Sequence, residues 1–158
     1  NTTFNLHDEV QLLLQSFHIN QIIDNNTFSL EFDQQIPQIL RGDITRYKQI
    51  LYNLLGNANK FTSNGQIIIK ISQTQRIDNK VSLLTQITDN GIGMTEDELK
   101  DIFKPFSQSN QTITRKYGGS GLGLTISKQL AELLGGKLLV ESQKGIGSTF
   151  SFENPFDV

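Results

Sequence analysis

Apolar residues recur along this chain with two distinct periods. Leu6, Val10, Leu13, Leu14 and Phe17 share one face at helical spacing, which predicts a helix over residues 6–18. Phe28, Leu30 and Phe32 alternate with polar residues and predict a strand; Pro37 and Gly42 punctuate the link that follows. Residues 44–61 carry the longest helical pattern, with Asp43 placed as its N-cap. Asn64-Gly65 marks a turn, after which 66–75 and 81–88 alternate as the two strands of a hairpin. A glycine-rich turn at 89–93 leads to Thr95, and Glu98 three residues on completes a capping-box pattern that opens a short helix. Residues 104–120 are polar, contain Pro105 and Gly118-Gly119, and have no period, so they predict a long loop. A helix follows over 121–134, stopped by Gly135-Gly136, and strands at 137–142 and 148–153 join around Gly145 and Gly147. No internal repeat or linker interrupts this order. The expectation is one α+β domain over residues 1–158, a two-layer sandwich with a mixed sheet of about five strands and three main helices on one face.

Composition narrows the choice little further. Hydrophobic residues make up 36% of 158, enough for a buried core in one domain. The net charge of −2 offers no basic footprint for nucleic acid. The absence of cysteine excludes disulfides and thiolate metal sites. No apolar run approaches the ~20 residues of a membrane span, and Asp8 and Glu9 stand where a signal peptide would be basic. The first residue is Asn1 and a helical pattern begins almost at once, so a segment of a longer protein is expected.

Three places carry candidate chemistry. On the 44–61 helix, Ile44, Tyr47, Ile50, Leu54, Leu55, Ala58 and Phe61 form a broad apolar arc that must face the core. Asn53, Asn57 and Lys60 stack beside it at i, i+4 and i+7. That row is either a solvated face or a holder for a metal-triphosphate, since amide oxygens suit Mg²⁺ and an ammonium suits phosphate. At Asp89-Asn90-Gly91-Ile92-Gly93-Met94 a carboxylate ends a strand and two glycines permit a tight turn. Asp89 either caps its own backbone or accepts a hydrogen bond from an exocyclic amine such as that of adenine. Gly118-Gly119-Ser120-Gly121-Leu122-Gly123-Leu124 runs into a helix, as a phosphate-binding helix N-terminus or as a hinge. It lacks the Lys-Ser/Thr of a Walker loop, and protein-kinase signatures are absent from the chain.

Taken in order, these motifs resemble the Bergerat ATP-binding fold, and most closely the catalytic ATP-binding domain of histidine kinases. Residues 46–62 resemble the N box of that family, 89–94 the G1 box, Phe103-Lys-Pro-Phe106 the F box, 119–124 the G2 box and 145–150 the closing glycine motif. Thr114-Arg115-Lys116-Tyr117-Gly118-Gly119 is similar to hybrid histidine kinases in particular. The resemblance implies ATP and Mg²⁺ as cofactors, with Asn57 on the metal, Asn53 and Lys60 at the phosphates and Asp89 on the adenine amino group. It implies further that Gly91, Gly93, Met94 and Phe61 border the base. Residues 104–120 would form the ATP lid, anchored by Phe103 and Phe106, with Arg115 or Lys116 at the triphosphate. Gly119, Gly121, Leu122 and Gly123 would make the phosphate-side turn. Two positions depart from the pattern: Asn90 replaces the common Thr or Ser, and Asn59 replaces an aliphatic residue.

Hydrolysing members of the fold carry a glutamate four residues before the metal-binding asparagine. That position is Asn53 here, and an amide cannot act as a general base for water. The resemblance therefore implies a histidine kinase of two-component phosphorelay signalling. Its partners would be a dimerisation domain of the same protein, carrying the acceptor histidine, and a downstream receiver domain. It would sit on the cytoplasmic side without itself touching the membrane. His7 and His18 are read as ordinary residues rather than acceptors, because the helix that follows His7 leaves no room for a second long dimerisation helix. A degenerate nucleotide-binding scaffold and an ATPase of the gyrase or mismatch-repair kind are the competing readings.

Overall fold

The computed structural model describes residues 1–19, 25–103 and 123–158. Its elements run β1 (Thr2–Phe4), α1 (Leu6–Ile19), β2 (Thr27–Phe32), β3 (Leu40–Gly42), α2 (Ile44–Phe61), β4 (Gln66–Ile77), β5 (Lys80–Asp89) and α3 (Glu96–Asp101). They close with α4 (Gly123–Leu133), β6 (Lys137–Gln143) and β7 (Gly147–Asp157). The sheet order is β1-β3-β7-β5-β4-β2, with β6 also paired to β7. β2 lies parallel to β4 and the other pairings are antiparallel, so the sheet is mixed as expected.

Seven strands are present among the described residues, against an expectation of about five. The two additional strands, β1 and β3, are three residues long and too short to show a period. β7 also runs on to Asp157, through Pro155. A strand tolerates proline where an edge is open. Pro155 falls in the gap on one edge of β7 between Glu153, the last partner of β6, and Asp157, the partner of β3.

The period of two decides what faces inward. Ile67, Ile69 and Ile71 of β4, Val81, Leu83 and Ile87 of β5, and Phe150, Phe152 and Phe156 of β7 form one buried surface. Helices α1, α2 and α4 cover it with Leu6, Val10, Leu14, Ile50, Leu54, Leu55 and Ala131. Asp89 continues the inward series of β5, and Ser148 that of β7, so both point to the helix side at the end of the sheet. That alternation delivers a carboxylate to the inner layer.

Helix α2 is fixed at its start and along its buried face. Asp43 accepts a hydrogen bond from Arg46 N at 3.0 Å, the N-cap read from the sequence. In its middle, Tyr47 is fully buried, shares a 2.7 Å hydrogen bond with Thr85 of β5, and packs its ring against Phe152 and Phe156. Burial drives the Tyr47 hydroxyl far above its ordinary pKa. Tyr47→Phe leaves the Thr85 hydroxyl buried without its partner, which costs about 1–2 kcal/mol. Thermal melting should show Tm lowered by roughly 3–6 °C with nucleotide affinity unchanged.

Candidate functional site

The turn after β5 is held from three sides. Gly91 N donates to Asp89 Oδ1 at 2.9 Å, closing the Asx-type turn that a carboxylate here can make. Ile92 N donates to Phe61 O at 3.1 Å, which satisfies a carbonyl at the C-terminal end of α2. Gly145 N donates to Ile92 O at 2.7 Å, and Met94 N to Ser142 Oγ at 2.8 Å, so the β6–β7 hairpin grips the other side. Ser142 Oγ in turn donates to Gly147 O at 3.0 Å and pairs with Ser148 Oγ at 2.7 Å.

Both glycines of this turn have a steric reason. A Cβ on Gly91 would run into Phe61 O and lie 2.7 Å from Thr62 Oγ1. Gly93 adopts φ +67°, and a Cβ there would run into Gln143 O. The backbone therefore passes close to the end of α2 and to β6.

Asp89 is 6% exposed. Burial raises its pKa above the ordinary value, against the lowering effects of the Gly91 and Ser148 N–H groups and the Thr62 hydroxyl. Thr62 is itself 2% exposed, and its Oγ1 makes no hydrogen bond among the described residues. That hydroxyl lies beside the carboxylate and lowers its pKa. A buried carboxylate with lone pairs to spare and an orphaned hydroxyl beside it form a polar pair suited to a flat, hydrogen-bonding ligand.

The other side chains implied for the nucleotide divide in two. Asn53 and Asn57 are half-buried and Lys60 is exposed, on the stripe of α2 next to its apolar arc. The C-terminal end of α2 abuts the 89–93 turn through Phe61 and Gly91, and Asn57 and Lys60 lie in the last turns of the same helix. No described residue forms a hydrogen bond or ion pair with the side chains of Asn53, Asn57 or Lys60. Two neutral oxygen donors beside an ammonium fit a Mg²⁺-bound polyphosphate. Phe61 is half-buried, and Met94 is packed into the core at 9% exposure. Phe106, Arg115, Lys116, Gly119, Gly121 and Leu122 lie outside the described residues. Gly123 is the first residue of α4. The two flanks of that span are fastened together: Thr125 Oγ1 donates to Phe103 O at 2.9 Å, and Lys128 Nζ lies 5.6 Å from the Phe103 ring centre.

Sequence reasoning did not single out Thr62, Ser142 or Ser148. Each is a small hydroxyl residue at the end of an element, and its role depends on the opposing segment. His7 stacks edge-on against Phe32, with ring centres 5.0 Å apart.

Residues 42–158 match the model of the histidine kinase-, DNA gyrase B- and HSP90-like ATPase family, and the chain belongs to that family. Within it the likeness is to histidine kinases. The hybrid signal transduction histidine kinase F of Dictyostelium discoideum is 44% identical over 85% of this chain, which spans only 12% of that relative. The solved catalytic domain of histidine kinase ThkA superposes with a TM-score of 0.72 at 29% identity, covering 98% of this chain and 94% of that one. Full-length ShkA, solved in complex with AMPPNP, gives a TM-score of 0.80 at 27% identity over 99% of this chain and 31% of its own. The fold is thus the α+β fold of histidine kinase catalytic domains, and the domain is of the histidine kinase catalytic type. Among the described residues, no helix is long and apolar enough to cross a membrane.

Proposed function

We propose that residues 1–158 form the catalytic ATP-binding domain of a larger sensor kinase, which binds Mg-ATP and transfers the γ-phosphate to a histidine on a separate dimerisation domain. The observation that carries the phosphotransfer reading is Asn53, one helical turn before Asn57 on the same stripe of α2. A carboxylate there could activate water; an amide cannot, so the site needs its nucleophile from elsewhere.

Each residue has a defined task in this reading. Asp89 accepts a hydrogen bond from the adenine amino group on a lone pair that Gly91 N leaves free. Gly91 and Gly93 keep the chain out of the base plane. Asn57 holds Mg²⁺, and Asn53 and Lys60 orient the phosphate oxygens. Bound Mg²⁺ neutralises charge on the triphosphate. Glycines 119, 121 and 123 would place backbone N–H groups at the phosphates. The acceptor imidazole nitrogen then attacks phosphorus in line. A P–N bond forms, the bond to the bridging oxygen breaks, and ADP leaves with that electron pair. Positioning and charge neutralisation carry most of the rate. From the phosphohistidine the group would pass to a receiver domain, on the cytoplasmic side of any membrane that anchors the full protein. ShkA being solved with AMPPNP supports the nucleotide part of this reading.

Isothermal titration of the 158-residue chain with Mg-ATP should show weak to moderate binding, and a phosphate-release assay should show negligible steady hydrolysis. Adding the dimerisation domain with its acceptor histidine should yield acid-labile phosphoprotein. Rapid turnover by the isolated chain would overturn the kinase reading in favour of an ATPase.

A further inference from the structure

Asn26 is 3% exposed and lies in none of the nucleotide-binding motifs. Its Nδ2 donates to Thr62 O at 2.8 Å and to Asn59 Oδ1 at 2.9 Å, with a longer 3.3 Å contact to Asn59 O. Its Oδ1 accepts from Gly65 N at 3.1 Å. A single buried amide thus satisfies carbonyls at the C-terminal end of α2 and the N–H of Gly65, the residue directly before β4. The backbone bond from Thr27 N to Gly65 O, at 2.9 Å, fixes β2 to the same turn.

Both arms of Asn26 lead to Asp89. The first passes through Thr62, whose carbonyl Asn26 holds and whose hydroxyl faces the Asp89 carboxylate and covers Gly91. The second passes through Gly65, where a Cβ would run into the Asn90 side chain. Asn90 Oδ1 accepts from Gln66 N at 2.8 Å, and Asn90 directly follows Asp89. The two departures from the family pattern, Asn59 and Asn90, are both members of this network. Asn59 supplies an amide oxygen to Asn26 where an aliphatic side chain could not.

We propose that Asn26 is a positioning residue for the base side of the nucleotide site. Paired with Asn59, it sets the end of α2 and the Gly65 turn against the Asp89 carboxylate. Its effect is on base recognition, not on the phosphates. The inference rests on the assignment of Asp89 to adenine.

The test uses the whole 158-residue chain and titrates ADP and GDP without Mg²⁺, so that base recognition dominates the readout. Asn26→Ala should weaken ADP about tenfold, the usual effect of losing an outer positioning group, and should shrink the ADP:GDP preference. Asn59→Leu removes the amide oxygen that holds Asn26 Nδ2 and should weaken ADP about threefold, and the double variant should fall short of the product of the two effects. A purely structural role would lower Tm while the folded protein kept its affinity and base preference, and that result would overturn the proposal. Should Asn26→Ala fail to fold, Asn59→Leu decides: unchanged ADP affinity and preference would sink the idea. Asp89→Asn separates the two levels. If it loses base preference while Asn26→Ala keeps it, only the positioning role fails. If Asp89→Asn keeps the preference, the adenine assignment fails and takes the positioning role with it.

Discussion

Asp89→Asn should weaken ATP binding about a hundredfold, ~2.7 kcal/mol, and should erase the preference for adenine over guanine nucleotides. The reason lies in the hydrogen-bond inventory. A carboxylate only accepts, so it favours the amino group that adenine presents and repels the carbonyl that guanine presents at the same position. An asparagine amide can do either, by turning over, so its discrimination collapses. Burial magnifies the effect, because Asp89 is 6% exposed and water cannot replace a missing partner cheaply. Parallel titrations of wild type and variant with ATP and GTP measure both quantities. Equal preference in the two proteins would show that Asp89 does not read the base.

The same substitution should act oppositely on stability. Burial holds the Asp89 carboxyl above its ordinary pKa of 3.8, so the folded chain keeps that proton more tightly than the unfolded chain does. Ionising it therefore costs stability. The cost is absent below the unfolded value and grows as pH rises through the folded value. The difference in Tm between Asp89→Asn and wild type should move in the variant's favour from acid to neutral pH. A difference independent of pH would contradict the raised pKa.

The elements with long periods were legible without coordinates. The 18-residue amphipathic run of α2, its Asp43 cap and the Thr95–Glu98 capping box all formed as read. Local chemistry decides such features, and the sequence displays it directly. β1 and β3 were invisible because three residues carry no period; they exist through pairing with each other and with Asp157. Asp89 showed a subtler gap. Turn-capping and base-accepting are alternative readings of Asp89; one oxygen accepts Gly91 N, and the residue is buried at the end of the sheet. Asn26 could not be found at all by pattern. Its partners lie 33 to 39 residues away, and nothing in the stretch around it signals a buried amide. Thr62 and Ser148 flank Asp89 for the same kind of reason, since sheet register and the end of α2 bring them there.

Asn57→Ala should lower phosphotransfer to the dimerisation domain by roughly 10²–10³-fold, the range seen when a group that stabilises developing charge is removed. The effect should enter through Mg²⁺. Asn57 sits half-buried on α2, one turn after Asn53 and three residues before Lys60, with no described partner for its amide. A neutral oxygen suits Mg²⁺ in this position, because the metal keeps most of its coordination from water and phosphate and needs few protein ligands. It also leaves the net charge of the site unchanged when ATP departs. ATP titrated with and without Mg²⁺ separates the roles of the two asparagines. In wild type, Mg²⁺ should tighten ATP binding; in Asn57→Ala that gain should disappear while the Mg²⁺-free affinity stays close to wild type. Asn53→Ala should instead weaken ATP in both conditions, since its proposed task is on the phosphate oxygens. If Asn57→Ala kept the full response to Mg²⁺, the metal would have to be held from another element, and the stripe on α2 would be left with phosphate positioning alone.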